Sequence, residues 1–160
     1  MSFRISSSAF AHGQPIPKRH SGDGEDLSPA LAWDGVPAGT VEFALVCDDP
    51  DAPTAKPWVH WVIYKLAAEL RSLPEGLSAA SRLESPVRAL QGRNSWPSGR
   101  TTGYRGPAPP PGHGVHHYHF KLYALDCELK LNPAVDKDTL VKATDGHVLA
   151  QAELVGTYQR

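Results

Sequence analysis

The segment Asp49-Pro50-Asp51-Ala52-Pro53 sets two carboxylates in a loop braced by two prolines. Proline fixes φ and removes a backbone donor, so such a loop holds its side chains in place before any ligand arrives. Asp-Pro-Asp is also ordinary turn chemistry, and on its own it means no more than a turn. A second rigid segment, Gly106-Pro107-Ala108-Pro109-Pro110-Pro111-Gly112, runs into Val115-His116-His117-Tyr118-His119. Between them lies Trp58-Val59-His60-Trp61, a histidine inside an aromatic strand. An aspartate, two histidines and a tyrosine at the ends of stiff loops describe a small, pre-formed polar pocket that binds anions or passes protons.

Each feature has a plainer reading. A lone His60 in an apolar strand is usually a neutral core histidine with one hydrogen bond. Asp49, eleven residues back across a proline-braced turn, is the partner the spacing suggests for it. The proline-rich loop reads as a rigid wall whose few free N–H groups, those of Gly106 and Ala108, form a small anion cradle. Its rival reading is a polyproline ligand for an aromatic groove. His113, His116, His117 and His119 form the densest histidine cluster, and His117 and His119 share a face at a spacing zinc uses. No cysteine lies near them, so the expectation is no metal and no cofactor, with that pair as the metal-binding runner-up. Cys47 and Cys127 lack ligand spacing and read as two buried thiols in a reducing cytoplasm.

The elements that position these groups are mostly strands. Residues 41–47 alternate, with Val41, Phe43, Leu45 and Cys47 on one face, which carries Asp49 to the same side. Residues 58–66 are apolar on both faces, as in a covered central strand. In residues 117–125, Tyr118, Phe120, Leu122 and Ala124 share a face with His116, grading from polar to apolar as a strand does on leaving a core. Residues 3–18 suggest an early strand, and residues 66–103 show mainly turn signals. A helix is expected over about residues 139–154, with Val141, Val148, Ala152 and Val155 on one face and Asp145-Gly146 splitting it. Its last position in the chain makes it either a cap on one sheet or a cover for the pocket. Short strands with proline and glycine turns predict a mainly β protein, an antiparallel β-sandwich with a C-terminal helix and short helical additions.

At 160 residues the chain reads as a single domain spanning 1–160. Sixteen basic residues against seventeen acidic ones argue against a nucleic-acid surface. No apolar run approaches the ~20 residues of a membrane span, and the first residues lack the apolar stretch of a secretory signal. A cytoplasmic location is the expectation.

The motifs, in order, resemble a known family. Asp26-Leu27-Ser28-Pro29-Ala30-Leu31-Ala32-Trp33, Val36-Pro37-Ala38-Gly39-Thr40, the Asp-Pro-Asp-Ala-Pro loop, Trp58-Val59-His60-Trp61, the proline loop and His116-His117-Tyr118 look like the phosphatidylethanolamine-binding proteins. That family includes the Raf kinase inhibitor protein, and the short chain and its ending resemble the bacterial branch. The resemblance implies an antiparallel sandwich with an anion pocket formed by Asp49, His60, His116 and Tyr118. Ala108, Pro109 and Pro110 would line one wall, and Trp58 and Pro53 complete the candidate set. Many relatives carry glycine at Ala108, a basic residue at His117 and a histidine at Val59, so partner contacts need not transfer. The ligand implied is a phosphate-bearing head group or similar oxyanion; a protein partner and self-association into a dimer both stay open. The competing class is a hydrolase-like enzyme using the same Asp/His/Tyr pocket.

Overall fold

The computed structural model describes residues 2–160. Its centre is strand β3 (Glu42–Asp49), all eight residues of which are buried. β3 pairs antiparallel with β4 (Trp58–Ala67) on one side and β8 (His116–Leu125) on the other. Outward from these lie β7 (Ala89–Gln91) and β6 (Arg82–Leu83) at one edge and β9 (Val148–Tyr158) at the other, giving the order β6-β7-β4-β3-β8-β9. A smaller sheet is made by β1 (Arg4–Ser6), β2 (Leu31–Asp34) and β5 (Ser72–Leu73).

Alternation decides which residues meet. Phe43, Leu45 and Cys47 turn toward the small sheet and share a core with Ile5, Leu31, Trp33, Phe120 and Leu122. Ala44 and Val46 turn the other way, to a second core with Val62, Tyr64, Leu129 and Leu140. Leu140 comes from helix α1 (Lys137–Thr144), whose N-cap Asp136 accepts the Thr139 N–H at 2.8 Å. The large sheet is thus covered on both faces, which is why its central strand carries almost no polar outward positions. The chain is an antiparallel β-sandwich with one helix near its C-terminus and a short 3₁₀ turn at Lys18–His20. No helix among the described residues is long and apolar enough to cross a membrane.

The expected long C-terminal helix is corrected. α1 stops at Thr144, Gly146 takes a left-handed φ of 78°, and the rest is the eleven-residue strand β9. The residues expected to form one helical face do not: Val141 and Val148 are exposed, Ala152 is buried with Leu154 by strand alternation, and Val155, on the other strand face, is half-buried. Without β9, the outer side of β8 would be left as a row of unpaired backbone groups. Nor does the helix cover the pocket, because Leu140 seats it on the opposite face of the sheet. Two further expectations shrink: the early strand is only Arg4–Ser6, and the turn-rich stretch 66–103 contains β5, β6 and β7.

At its end, β3 delivers two carboxylates to opposite sides. Asp48 is buried on the helix side, 2.6 Å from the Lys137 ammonium and 3.6 Å from that of Lys121. Asp49 is buried on the other side.

Candidate functional site

A cavity of about 200 Å³ opens where β3, β4 and β8 end. All nine residues singled out from the sequence line it: Asp49, Pro53, Trp58, His60, Ala108, Pro109, Pro110, His116 and Tyr118. Trp96, Ala52 and Thr54 join them. A wider cleft of about 480 Å³ lies elsewhere, over Lys65, Glu69, Arg82 and Arg88; its one buried carboxylate, Glu42, is already taken up by Lys65 and the Leu129 N–H.

The Asp-Pro-Asp-Ala-Pro loop is held by its own aspartates. Asp49 Oδ1 accepts the Asp51 N–H at 2.8 Å, closing a local turn. Asp51 Oδ2 in turn accepts the His117 N–H at 2.8 Å and lies 2.7 Å from the His117 Nδ1, tying the loop to the start of β8. Burial works against the ionised Asp51, yet these His117 hydrogen bonds win and hold its carboxyl below the usual range.

The partner of Asp49 is His116, not His60. Asp49 Oδ2 lies 2.6 Å from His116 Nδ1, and both side chains are buried. A carboxylate only accepts, so His116 donates from Nδ1 and turns Nε2 toward the pocket. There it meets the Nδ1 of His113 at 2.6 Å, so the two nitrogens share one proton. His113 is exposed and sits between Gly112 and Gly114, both at left-handed φ (74° and 94°). The result is a chain of three groups, Asp49–His116–His113, running from the core to solvent.

His60 is anchored differently. Its Nδ1 donates to the Arg105 carbonyl at 2.7 Å, which leaves Nε2 as an acceptor in the neutral ring. Burial pushes its pKa below the ordinary value, opposed by the Arg105 hydrogen bond and the charge of Asp49. The ring is edged by Trp96 at 5.2 Å and Tyr118 at 5.0 Å between centroids. Burial, then the nearby Asp49 charge, pushes the Tyr118 phenol well above its usual range. Tyr118 is therefore a protonated donor, and no described residue takes its hydroxyl proton. With histidines counted neutral, Asp49 is the only formally charged group among the described residues lining the cavity. An anion entering this pocket must bring or recruit a proton.

The proline wall is fixed from behind. The Gly106 N–H, expected to face a ligand, instead donates to Asp26 Oδ1 at 2.6 Å, so only the Ala108 N–H remains for the cradle. A Cβ at Gly106 would run into the His20 carbonyl, which makes glycine obligatory there. Asp26 holds a left-handed φ of 60° and also takes the Arg100 guanidinium at 2.6 Å. Arg160, paired with Asp23 at 2.8 Å, donates to the Pro109 carbonyl at 3.4 Å. Arg160 and Trp96 escaped the sequence reading, and Asp26 entered it only as the first residue of a family motif. Asp26 carried a weak signal, being a loop aspartate just before an extended segment, whereas Trp96 read only as part of a turn.

His117 and His119 do share the outward face of β8, but each turns to its own carboxylate, Asp51 at 2.7 Å and Glu153 at 3.5 Å. Cys47 and Cys127 are free; Cys47 is buried and Cys127 only partly so.

A sandwich that closes a proline-walled Asp/His/Tyr cavity at the ends of its central strands defines a class of small-pocket β proteins. The sequence matches the phosphatidylethanolamine-binding protein family over residues 6–159, and the chain belongs to that family. A UPF0098 protein of Methanothermobacter thermautotrophicus is 47% identical over 156 residues, covering 98% of each chain. The UPF0098 protein YbhB of Escherichia coli is 42% identical over 130 residues, 78% of this chain and 79% of its own. The crystal structure of E. coli YbcL, described as a member of the mammalian PEBP family, superposes with a TM-score of 0.88 at 32% identity. It covers 100% of this chain and 99% of that one.

Proposed function

We propose that the chain is a binding module whose pocket takes a phosphate or phosphate-bearing head group. One observation carries this reading: Asp49–His116, His60 and Tyr118 converge on a cavity of about 200 Å³ walled by Pro109 and Pro110. That volume is below the ~300–1,000 Å³ of drug-sized sites, so it suits a small group and not a large apolar ligand. Tyr118 and the Ala108 N–H supply donors. The histidines supply protons on demand, and a charge-assisted hydrogen bond is about twice as strong as a neutral one. In this reading the protein is a ligand-responsive regulator, in the manner of kinase-inhibitor-like modules, acting in the cytoplasm.

The hydrolase reading has less support. The Cys47 thiol is pushed far up by burial and by Asp48 and Asp49, and it packs in the core instead of lining the cavity. The Thr54 hydroxyl is committed to the Lys56 carbonyl at 2.5 Å. The lining thus offers no activated nucleophile.

Calorimetry with inorganic phosphate and phosphoethanolamine, at about pH 6 and about pH 8, tests the proposal in the histidine range. Binding is expected to be tighter at the lower pH and to be lost in Asp49→Asn. Binding that is absent throughout, or stronger at the higher pH, overturns it.

A further inference from the structure

Three potential metal donors meet far from the pocket, where β8 ends and β9 begins. Asp126, Cys127 and His147 bring a carboxylate oxygen, a sulfur and an imidazole nitrogen within 4.8 Å of one another. We propose that this trio is a binding site for a borderline-soft divalent cation of the zinc type.

The backbone holds the two arms together before any ion is present. The Asp126 N–H donates to the His147 carbonyl at 3.0 Å, and the next pair along, Leu125 and Val148, lies in the β8–β9 ladder. His147 in turn donates its N–H to the Thr144 carbonyl at 2.9 Å, at the end of α1. Asp126 Oδ1 already lies 2.8 Å from His147 Nδ1. Donors around one tetrahedral zinc sit about 3.3–3.7 Å apart, as its 2.0–2.3 Å bonds require. A widening of about half an ångström between these two side chains, both roughly half exposed, would therefore admit an ion.

Donor chemistry narrows the choice. A mixed sulfur, nitrogen and oxygen set disfavours calcium and magnesium, which want oxygen alone, and suits zinc or cobalt. Three protein ligands with solvent on the fourth side describe an open, exchangeable site, unlike the closed four-ligand sites of structural zinc. The surrounding charge favours a cation. The charges of Asp126 and Glu42 bear on the Cys127 sulfur, opposed by Lys65, whose ammonium is itself neutralised at 2.9 Å by Glu42 and at 3.5 Å by Glu128.

Cobalt titration of tag-free protein at neutral pH tests the site. One equivalent of cobalt is expected to give a sulfur-to-cobalt charge-transfer band that zinc abolishes by competition. The band should vanish in Cys127→Ser and weaken in His147→Ala. It should persist in Cys47→Ala and in the double variant His117→Gln/His119→Gln. Circular dichroism confirms that each variant stays folded. A titration without the band overturns the proposal, as does a band that survives Cys127→Ser or disappears in Cys47→Ala.

Discussion

His113 Nδ1 lies 2.6 Å from His116 Nε2, so the one imidazole nitrogen that Asp49 leaves facing the pocket is already occupied by a neighbour on a glycine-flanked loop. A ligand that uses His116 must first part this pair. Breaking a hydrogen bond of that kind costs about 0.5–1.5 kcal/mol net. His113→Ala is therefore expected to bind phosphate about two- to tenfold more tightly, by the 1.4 kcal/mol-per-decade relation. Its melting temperature should barely change, since His113 is exposed. Calorimetry decides between two roles, because weaker binding would make His113 a ligand contact and not a stopper.

The buried His60 gives stability a defined pH dependence. Its pKa in the folded protein is depressed below the ordinary 6.5. Between the folded value and 6.5 the unfolded chain takes up a proton that the native state refuses. This stability is fully present above pH 6.5 and is lost as pH falls through the folded value. Asp51 and Asp136 are also held below their ordinary 3.8, so they act only at lower pH and leave the window distinct. In oxyanion-free buffer the melting temperature should fall between about pH 7 and pH 5, and His60→Gln should flatten that slope. Added phosphate should raise the melting point most at the acid end, where the proposed binding is expected to be tightest. A slope unchanged in His60→Gln would assign the effect to another group.

Asp26 is the strut behind the proline wall. Its left-handed φ of 60° strains any residue without a short polar side chain, and its two oxygens serve Gly106 and Arg100. Asp26→Ala adds about 1–2 kcal/mol of backbone strain to the loss of both hydrogen bonds. Asp26→Asn keeps the backbone tolerance and an acceptor for Gly106. Chemical denaturation should rank the alanine variant clearly below the asparagine variant. Equal stability of the two would show that the wall stands without this contact.

The two apolar residues at the end of the chain that look alike in sequence should behave oppositely. Leu140 is 1% exposed and seats α1, so Leu140→Ala should cost about 2–5 kcal/mol. Val148 is 42% exposed at the start of β9, so Val148→Ala should stay within about 0.5 kcal/mol. Urea unfolding measures both, and a large loss at Val148 would mean that its exposed face is covered by something else.

That pair also shows where the sequence could and could not be read. β3 and β8 are long enough for alternation to declare itself, so Phe43, Leu45, Tyr118 and Phe120 are legible as inward residues. The spacing of Val148, Ala152 and Val155 fits a helical face and not one face of a strand, and only the unpaired edge of β8 overrides it. β5 and β6 are two residues each, too short for any period, and exist because β2 and β7 are there to pair with. The pocket residues were legible as types at stiff loop ends. Their pairing was not: Asp49 lies 67 residues from His116 and only eleven from His60, and the register of β3 against β8 makes the distant one its neighbour.

Asp48 and Asp49 face opposite ways because consecutive strand residues must. One is matched to Lys137 beneath α1 and the other to His116 in the pocket. Inserting or deleting a single residue within β3 would exchange them, turning Asp48 to the histidine and Asp49 away from it. Every core residue between the change and Asp48 would change sides in the same stroke. Substitutions along this strand can be absorbed one at a time, but its length cannot drift, and relatives that keep both the helix seat and the pocket are bound to the same residue count between Glu42 and Asp49.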